Sequence, residues 1–422
     1  MKTTILTACV CAALFSLVAT GARAASAGQH ASTERNFLAW LDGPLWQKAR
    51  QQNIERSTFD AAIKNLKLNW SLPDLQPPGQ RRKSRKAPAQ SEFRAPGRYF
   101  KAKHLQYNIV KGRTELKNWR KTLDKIERRY GVPREIIISI WGKETAFGRA
   151  KLPYRAIEVL ATQAFMGRRK PLFEKELLAA LTILQQRHIK GRDMKSAWAG
   201  ALGHPQFMPT AFLKYAVDFD GDGSKNIWTS VPDALASIAN YLHQNGWDPT
   251  SRWGQEVKLP ASISCTLEGP DQRIMRAQWQ RSGMRLANGR DFSYRGAEKN
   301  SFLLLPAGRY GPSFLVSNNF YVLKKYNESD VYALLIGHTA DRMNKSNAGR
   351  GGFTKSWKRL DKIARSDVRA AQIKLENAGA DVGGADGLIG YKTRIAVGNW
   401  QRANGFDVTC FPNKTVLEAI SN

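Results

Sequence analysis

Apolar residues recur at helical spacing over most of this chain. Phe37, Leu38, Trp40, Leu41, Leu45 and Trp46, then Phe59, Ile63 and Leu66, fall three and four apart, the stripe of an amphipathic helix. Between 104 and 245 the same period returns in Leu116–Ile126, Phe173–Gln186 and Val231–His243. From 250 to 325 the pattern changes. Glu256-Val257-Lys258-Leu259 and Ser301-Phe302-Leu303-Leu304-Leu305 sit between Gly and Pro turns and predict strands of a small α+β subdomain. Helical spacing resumes over Val331–Met343, and a Gly/Ser/Lys-rich stretch, Asn344–Thr354, reads as linker. The remainder forms a compact unit of its own. The fold class is therefore mainly α.

Two further segments of the N-terminal part carry signals of their own. Lys2, the apolar run Ile5–Ala19 and Ala22-Arg23-Ala24 read as a secretory signal peptide over 1–24. Leu6-Thr7-Ala8-Cys9 resembles a lipoprotein box, but most of the apolar run still follows Cys9, so lipidation ranks second. Residues 71–98 are Pro-rich and basic around Arg81-Arg82-Lys83-Ser84-Arg85-Lys86, an exposed insertion that serves as a solvated linker or as an anchor on an anionic envelope surface. The whole chain has 66 Lys+Arg against 35 Asp+Glu, a net +31. That excess favours a polyanionic partner. No nucleic-acid reading module accompanies it, so nucleic acid is not expected. Once the signal is removed, Cys265 and Cys410 remain; they either pair in an export compartment or stay as two buried thiols. The six histidines form no cluster, which argues against zinc.

Three segments carry candidate chemistry. Tyr130-Gly131-Val132-Pro133 opens a helix, the apolar run Ile136–Trp141 follows, and Glu144 stands at its end before Gly148. A carboxyl group there loses hydration, which raises its pKa, as a general acid near neutral pH requires. The plainer reading is a helix-end glutamate whose head reaches water. In Ala199-Gly200-Ala201-Leu202-Gly203-His204-Pro205-Gln206-Phe207-Met208-Pro209 the glycines let backbone approach a ligand, and Gln206 offers a donor and an acceptor. The same residues also suit a tight turn between helices. Asp218-Phe219-Asp220-Gly221-Asp222-Gly223 matches the opening of a calcium-binding loop. Thr229 falls where the closing acid belongs, and Asp233 is the candidate to close a longer loop.

Taken together and in order, these motifs resemble the membrane-bound lytic transglycosylase B family. Its pattern is met by Gly142-x-Glu144-Thr145-x-Phe147-Gly148, Ala199-Gly200-Ala201 with Gln206-Phe207-Met208-Pro209, the Asp-Gly loop, Ala239-Asn240-Tyr241-Leu242 with Gly246-Trp247, and Asn319-Phe320-Tyr321 with Tyr326-Asn327. The resemblance covers 35–343 and implies a lysozyme-like catalytic domain with the α+β subdomain inside it. It places the catalytic acid at Glu144, substrate contacts at Gln206, Met208, Tyr241, Tyr321 and Tyr326, and a structural calcium ion at Asp218, Asp220, Asp222 and Asp233. No organic cofactor is expected. The family's serine before the glycine turn is replaced by Ala197, so either Ser196 substitutes from a shifted position or that hydrogen bond is absent. After a linker over 344–360, residues 361–422 resemble a small helical peptidoglycan-binding domain through Val368, Gln372, Asp386-Gly387, Gly390, Thr393 and Trp400-Gln401. Thr393 is placed to cap the helix that follows.

The signal peptide implies the periplasm, a monomer is expected, and the resemblance implies action on peptidoglycan glycan strands. The protein would cut the β-1,4 bond between N-acetylmuramic acid and N-acetylglucosamine and leave 1,6-anhydromuramic acid ends. Two other readings stay open: a hydrolysing muramidase with a second carboxylate, and a catalytically inactive wall-binding protein.

Overall fold

The computed structural model describes residues 28–78, 96–293, 299–344, 353–358, 360 and 362–422. The expected signal peptide with Cys9, the Arg81–Lys86 cluster and most of the Asn344–Thr354 stretch lie outside the described residues. The chain divides into two compact units, Met1–Ser84 with Lys151–Ala234 and Arg85–Ala150 with Leu235–Asn422.

In the first unit, a helix over 28–40 runs into a π-turn, Leu41–Leu45, and on into Trp46–Gln51 and Arg56–Ile63. Pro44 lies inside the π-turn; it has no N–H to give the helix ladder, and a local π adjustment accommodates that loss. Phe37, Leu41, Leu45 and Phe59 are fully buried, with Phe37 edge-on to Phe165 at 5.3 Å. The long apolar helices Ala156–Met166 and Lys170–Gln185 pack together. A short antiparallel pair, β1 (Tyr154–Arg155) and β2 (Lys195–Ser196), leads into the glycine turn.

The second unit is built on three packed helices, Ala102–Asn118, Arg134–Thr145 and Asp330–Met343. Their axes come close because small groups meet. A Cβ on Gly112 would lie 2.4 Å from Met343 Cε, and Ser139 Oγ donates to the Ile336 carbonyl at 2.9 Å in the buried seam. The apolar run Leu116–Ile126 is not one helix. The chain kinks at Trp119 (φ −102, ψ 18) into a separate helix, Arg120–Tyr130, which stops at Gly131 in the left-handed region. The predicted strands form a four-stranded antiparallel sheet of β3 (Gly254–Lys258), β4 (Arg285–Leu286), β5 (Phe302–Leu304) and β6 (Ser313–Val316), ordered β4-β3-β6-β5. β5 and β6 are buried at every residue.

The C-terminal module has three helices, Arg365–Asn377, Tyr391–Ala403 and Lys414–Ser421, around a core that includes Val368, Leu375, Val397, Phe411 and Leu417. Gln372 is the buried knot of its turn: it donates to the Leu388 carbonyl at 2.9 Å and to Thr393 Oγ1 at 3.0 Å, and accepts from Gly387 N–H at 2.6 Å. Thr393 does not cap a helix. Gly390 holds that position without a side-chain bond, and the Thr393 hydroxyl donates inward to the Val382 carbonyl at 3.0 Å. Cys265 and Cys410 are bonded to each other across a separation of 145 residues, which ties the module to the α+β subdomain and decides between the two readings left open for these cysteines.

Candidate active site

Glu144 is the penultimate residue of the helix Arg134–Thr145, whose buried face includes Ile136–Gly142 and Thr145. Pro133 is the N-cap of this helix. The helix stops before Gly148 is reached, because Ala146 (φ 50) and Phe147 (φ 61) already take left-handed backbone. This reversal folds Phe147 back beneath the helix, edge-on to Trp141 at 5.6 Å. Gly142 makes room for it, since a Cβ there would sit 2.5 Å from Phe147 Cζ. A mid-helix glycine costs about 1 kcal/mol in propensity; here it sets the turn that follows the carboxylate.

The Glu144 carboxyl does not simply reach water. Burial raises its pKa, opposed by a hydrogen bond from Tyr332 and by the neighbouring Lys143 charge. Tyr332 Oη donates to Glu144 Oε1 at 2.5 Å. The tyrosine is buried, and burial next to the carboxylate pushes its own pKa well up, so it stays a donor. Tyr326 is held protonated in the same way, by burial and by Glu144 and Tyr241. The Tyr241 and Tyr326 rings meet at 4.8 Å and 63°, and Tyr241 Oη donates to the Lys325 carbonyl at 2.5 Å. Glu144, Tyr241, Tyr326 and Tyr332 thus form one acidic-aromatic cluster.

Sequence reasoning missed Tyr332. It sits in the apolar helix Asp330–Met343 and looks there like core. Its spacing of six residues after Tyr326 was the available signal. Tyr321 belongs elsewhere. Its ring packs against Phe302 at 5.3 Å and Phe320 at 5.5 Å, and its hydroxyl is held far above the usual range by burial and by Asp330, Glu268, Tyr391 and Asp271.

In the first unit, Leu202 and Phe207 exchange backbone hydrogen bonds at 2.7 and 3.2 Å and close a tight turn. Gly203 packs so closely that a Cβ would fall 2.5 Å from the Ile227 carbonyl oxygen. Gln206 takes left-handed backbone (φ 54) and donates to the Gly203 carbonyl at 2.8 Å. Met208 is the N-cap of the helix Pro209–Tyr215. Both are half-buried. The segment is a tight turn, as its plainer reading held, and it presents these two side chains on that turn. Ser196 is fully buried in β2, and its hydroxyl has no hydrogen-bond partner among the described residues.

The Asp loop brings Asp218, Asp220 and Asp222 together, their carboxylate oxygens within 4.8 Å of one another. Asp233 is not in that cluster. It is buried, and its oxygens accept the N–H groups of Phe219 at 2.7 Å, Asp220 at 3.3 Å and Asn226 at 2.8 Å. It therefore holds the loop from beneath. The three converging carboxylates are the hard oxygen donors a calcium ion prefers, so the donor set fits the ion.

This architecture is that of a lytic transglycosylase, and the chain belongs to that family: the model of the transglycosylase SLT domain matches residues 36–341. A putative peptidoglycan binding domain matches 364–420. The chain is 32% identical over 254 residues to membrane-bound lytic murein transglycosylase B of Escherichia coli K12, covering 57% of this chain and 64% of that protein. The match thus spans somewhat under two-thirds of that relative. The crystal structure of SltB3 from Pseudomonas aeruginosa in complex with NAG-anhNAM-pentapeptide superposes with a TM-score of 0.78 at 34% identity, over 92% of this chain and 99% of that one. The Escherichia coli lytic transglycosylase Slt35, solved with calcium, superposes at 0.51 with 28% identity, over 61% and 81%.

Proposed function

We propose that this protein is a peptidoglycan lytic transglycosylase of the periplasm, with Glu144 acting first as acid and then as base. The neutral Glu144 carboxyl gives its proton to the glycosidic oxygen between N-acetylmuramic acid and N-acetylglucosamine, and the C1–O bond breaks. The carboxylate then takes the proton of the muramoyl C6 hydroxyl as its oxygen bonds to C1, closing the 1,6-anhydro ring. No water enters and the enzyme returns protonated. One observation carries this reading: Glu144 is half-buried at the end of its helix, burial raises its pKa, and the Tyr332 hydrogen bond and the Lys143 charge oppose that rise. A hydrolase would need a second carboxyl group about 5–9.5 Å away.

Tyr332 serves the first half-reaction. Its hydrogen bond stabilises the carboxylate left after the first proton transfer. Tyr241 and Tyr326 supply aromatic surface beside the acid for the sugar, and Gln206 and Met208 are the further substrate contacts. Asp218, Asp220 and Asp222 would hold a structural calcium ion, which fixes the loop without entering the reaction. The C-terminal module would hold the glycan strand. The test is product analysis on purified peptidoglycan, with anhydro-muramoyl ends supporting the proposal and reducing ends overturning it.

A further inference from the structure

Arg394 lies in the C-terminal module, on the helix Tyr391–Ala403, and only 2% of it is exposed. A buried guanidinium needs partners on every side; one lies within the module, the Ile389 carbonyl that accepts from Nη1 at 2.9 Å, and the charged ones come from outside it. It forms a fork with Glu268, Nε to Oε2 at 2.9 Å and Nη2 to Oε1 at 2.6 Å. Its Nη2 also faces Asp330 Oδ2 at 3.6 Å. Glu268 is itself inaccessible and accepts the Leu305 N–H at 2.7 Å. It follows the 3-10 turn Cys265–Leu267, so the disulfide anchors the same short segment that receives Arg394.

Asp330 is the first residue of the Tyr332 helix. Ser329 caps that helix by accepting the Tyr332 N–H at 3.2 Å, and Lys324 holds the other Asp330 oxygen at 2.6 Å. Two residues on, Tyr332 donates to Glu144. An unbroken series of contacts therefore runs from the module to the acid: Arg394 to Asp330, Asp330 to the first helical turn, Tyr332 to Glu144.

We propose that Arg394 is a positioning residue for the Glu144–Tyr332 pair, through which the docked C-terminal module sets the hydrogen bond on the catalytic acid. The proposal rests on Glu144 being that acid. The module is then a part of the acid's support as well as a wall-binding unit. Arg394 touches neither Glu144 nor Tyr332; it acts by fixing the turn that carries Tyr332.

Charged and titratable groups face each end of this series. Around Glu144 they are Lys143, Tyr332, Tyr326 and Tyr241. Around Asp330 they are Lys324 and Arg394, with Tyr321 and Tyr391 nearby. The Tyr332 bond lowers the Glu144 pKa. Loosening that bond lets the pKa rise, so the alkaline limb of the pH–rate profile moves to higher pH.

The experiment measures kcat, KM and the pH dependence of kcat/KM on purified peptidoglycan glycan strands. It compares the intact wild-type protein with Asp330→Asn, with the double variant Arg394→Met/Glu268→Gln, and with Lys414→Ala as an exposed control in the same module. Asp330→Asn leaves the Arg394–Glu268 fork complete, and the double variant leaves no unpaired buried charge, so both are expected to fold, as melting curves will report. The expected result is an alkaline displacement of the limb in both variants. It is accompanied by a fall in kcat of about 5- to 10-fold with KM changed less than about 2-fold, the signature of a lost transition-state interaction. Lys414→Ala should match wild type. Folded variants with the wild-type limb and kcat would overturn the proposal. Full activity of Glu144→Gln would remove instead the reading beneath it, and the two failures are told apart by that one variant.

Discussion

At the scale of single residues the decisive contact is Tyr332 Oη on Glu144 Oε1. The position of Glu144 was legible in the sequence, because a lone acid closing an apolar helix stands out from everything before it. Its partner was not, because a buried tyrosine in an apolar helix reads as packing. Replacing Tyr332 by Phe removes the donor that favours the charged carboxylate. The Glu144 pKa should rise and the alkaline limb of kcat/KM should move up, measured on soluble glycan strands across the neutral range. Glu144 also makes a stability prediction. Its folded pKa is raised above the unfolded value, so its favourable contribution is complete below the unfolded pKa and is lost as pH rises through the folded one. Glu144→Gln should therefore match wild type in melting temperature near pH 4 and exceed it at pH 8. A variant less stable at pH 8 would contradict the burial account.

At the scale of elements, turns were read less well than helices. The period of three and four gave the helices Lys170–Gln185, Val231–Gln244 and Asp330–Met343 nearly to their ends. It did not reveal the break at Trp119 or the left-handed pair Ala146–Phe147, since neither site carries a glycine or proline. The Asp loop was legible as a pattern of oxygens. The part played by Asp233 was not, because only the fold shows three backbone N–H groups converging on it. Calcium should raise the melting temperature of the wild-type protein and leave that of Asp218→Ala/Asp220→Ala unchanged. A chelator should lower the first and not the second. Asp233→Ala should destabilise the protein even without calcium, by about 1–3 kcal/mol, as buried donors lose their acceptor. Equal stability of that variant in urea titration would remove the cradle role assigned here.

At the scale of the whole molecule, the sequence marked a C-terminal module after the linker but not its attachment. Two cysteines far apart in the chain, one arginine in an otherwise ordinary helix and one glutamate in a loop meet only when the fold is complete. Neither periodicity nor spacing could pair them. Cross-linking a loop of this length removes entropy from the unfolded chain worth up to about 5 kcal/mol. Cys265→Ser/Cys410→Ser should accordingly lower the melting temperature clearly, and a reductant should do the same to wild type and nothing to the variant. The central claim is the chemistry, and mass spectrometry of purified peptidoglycan digested with the protein tests it most directly. The account predicts muropeptides ending in 1,6-anhydro-N-acetylmuramic acid from wild type, and their loss, by at least about 10²-fold in rate, in Glu144→Gln. Reducing-end products from wild type, or unchanged anhydro products from the variant, would contradict it.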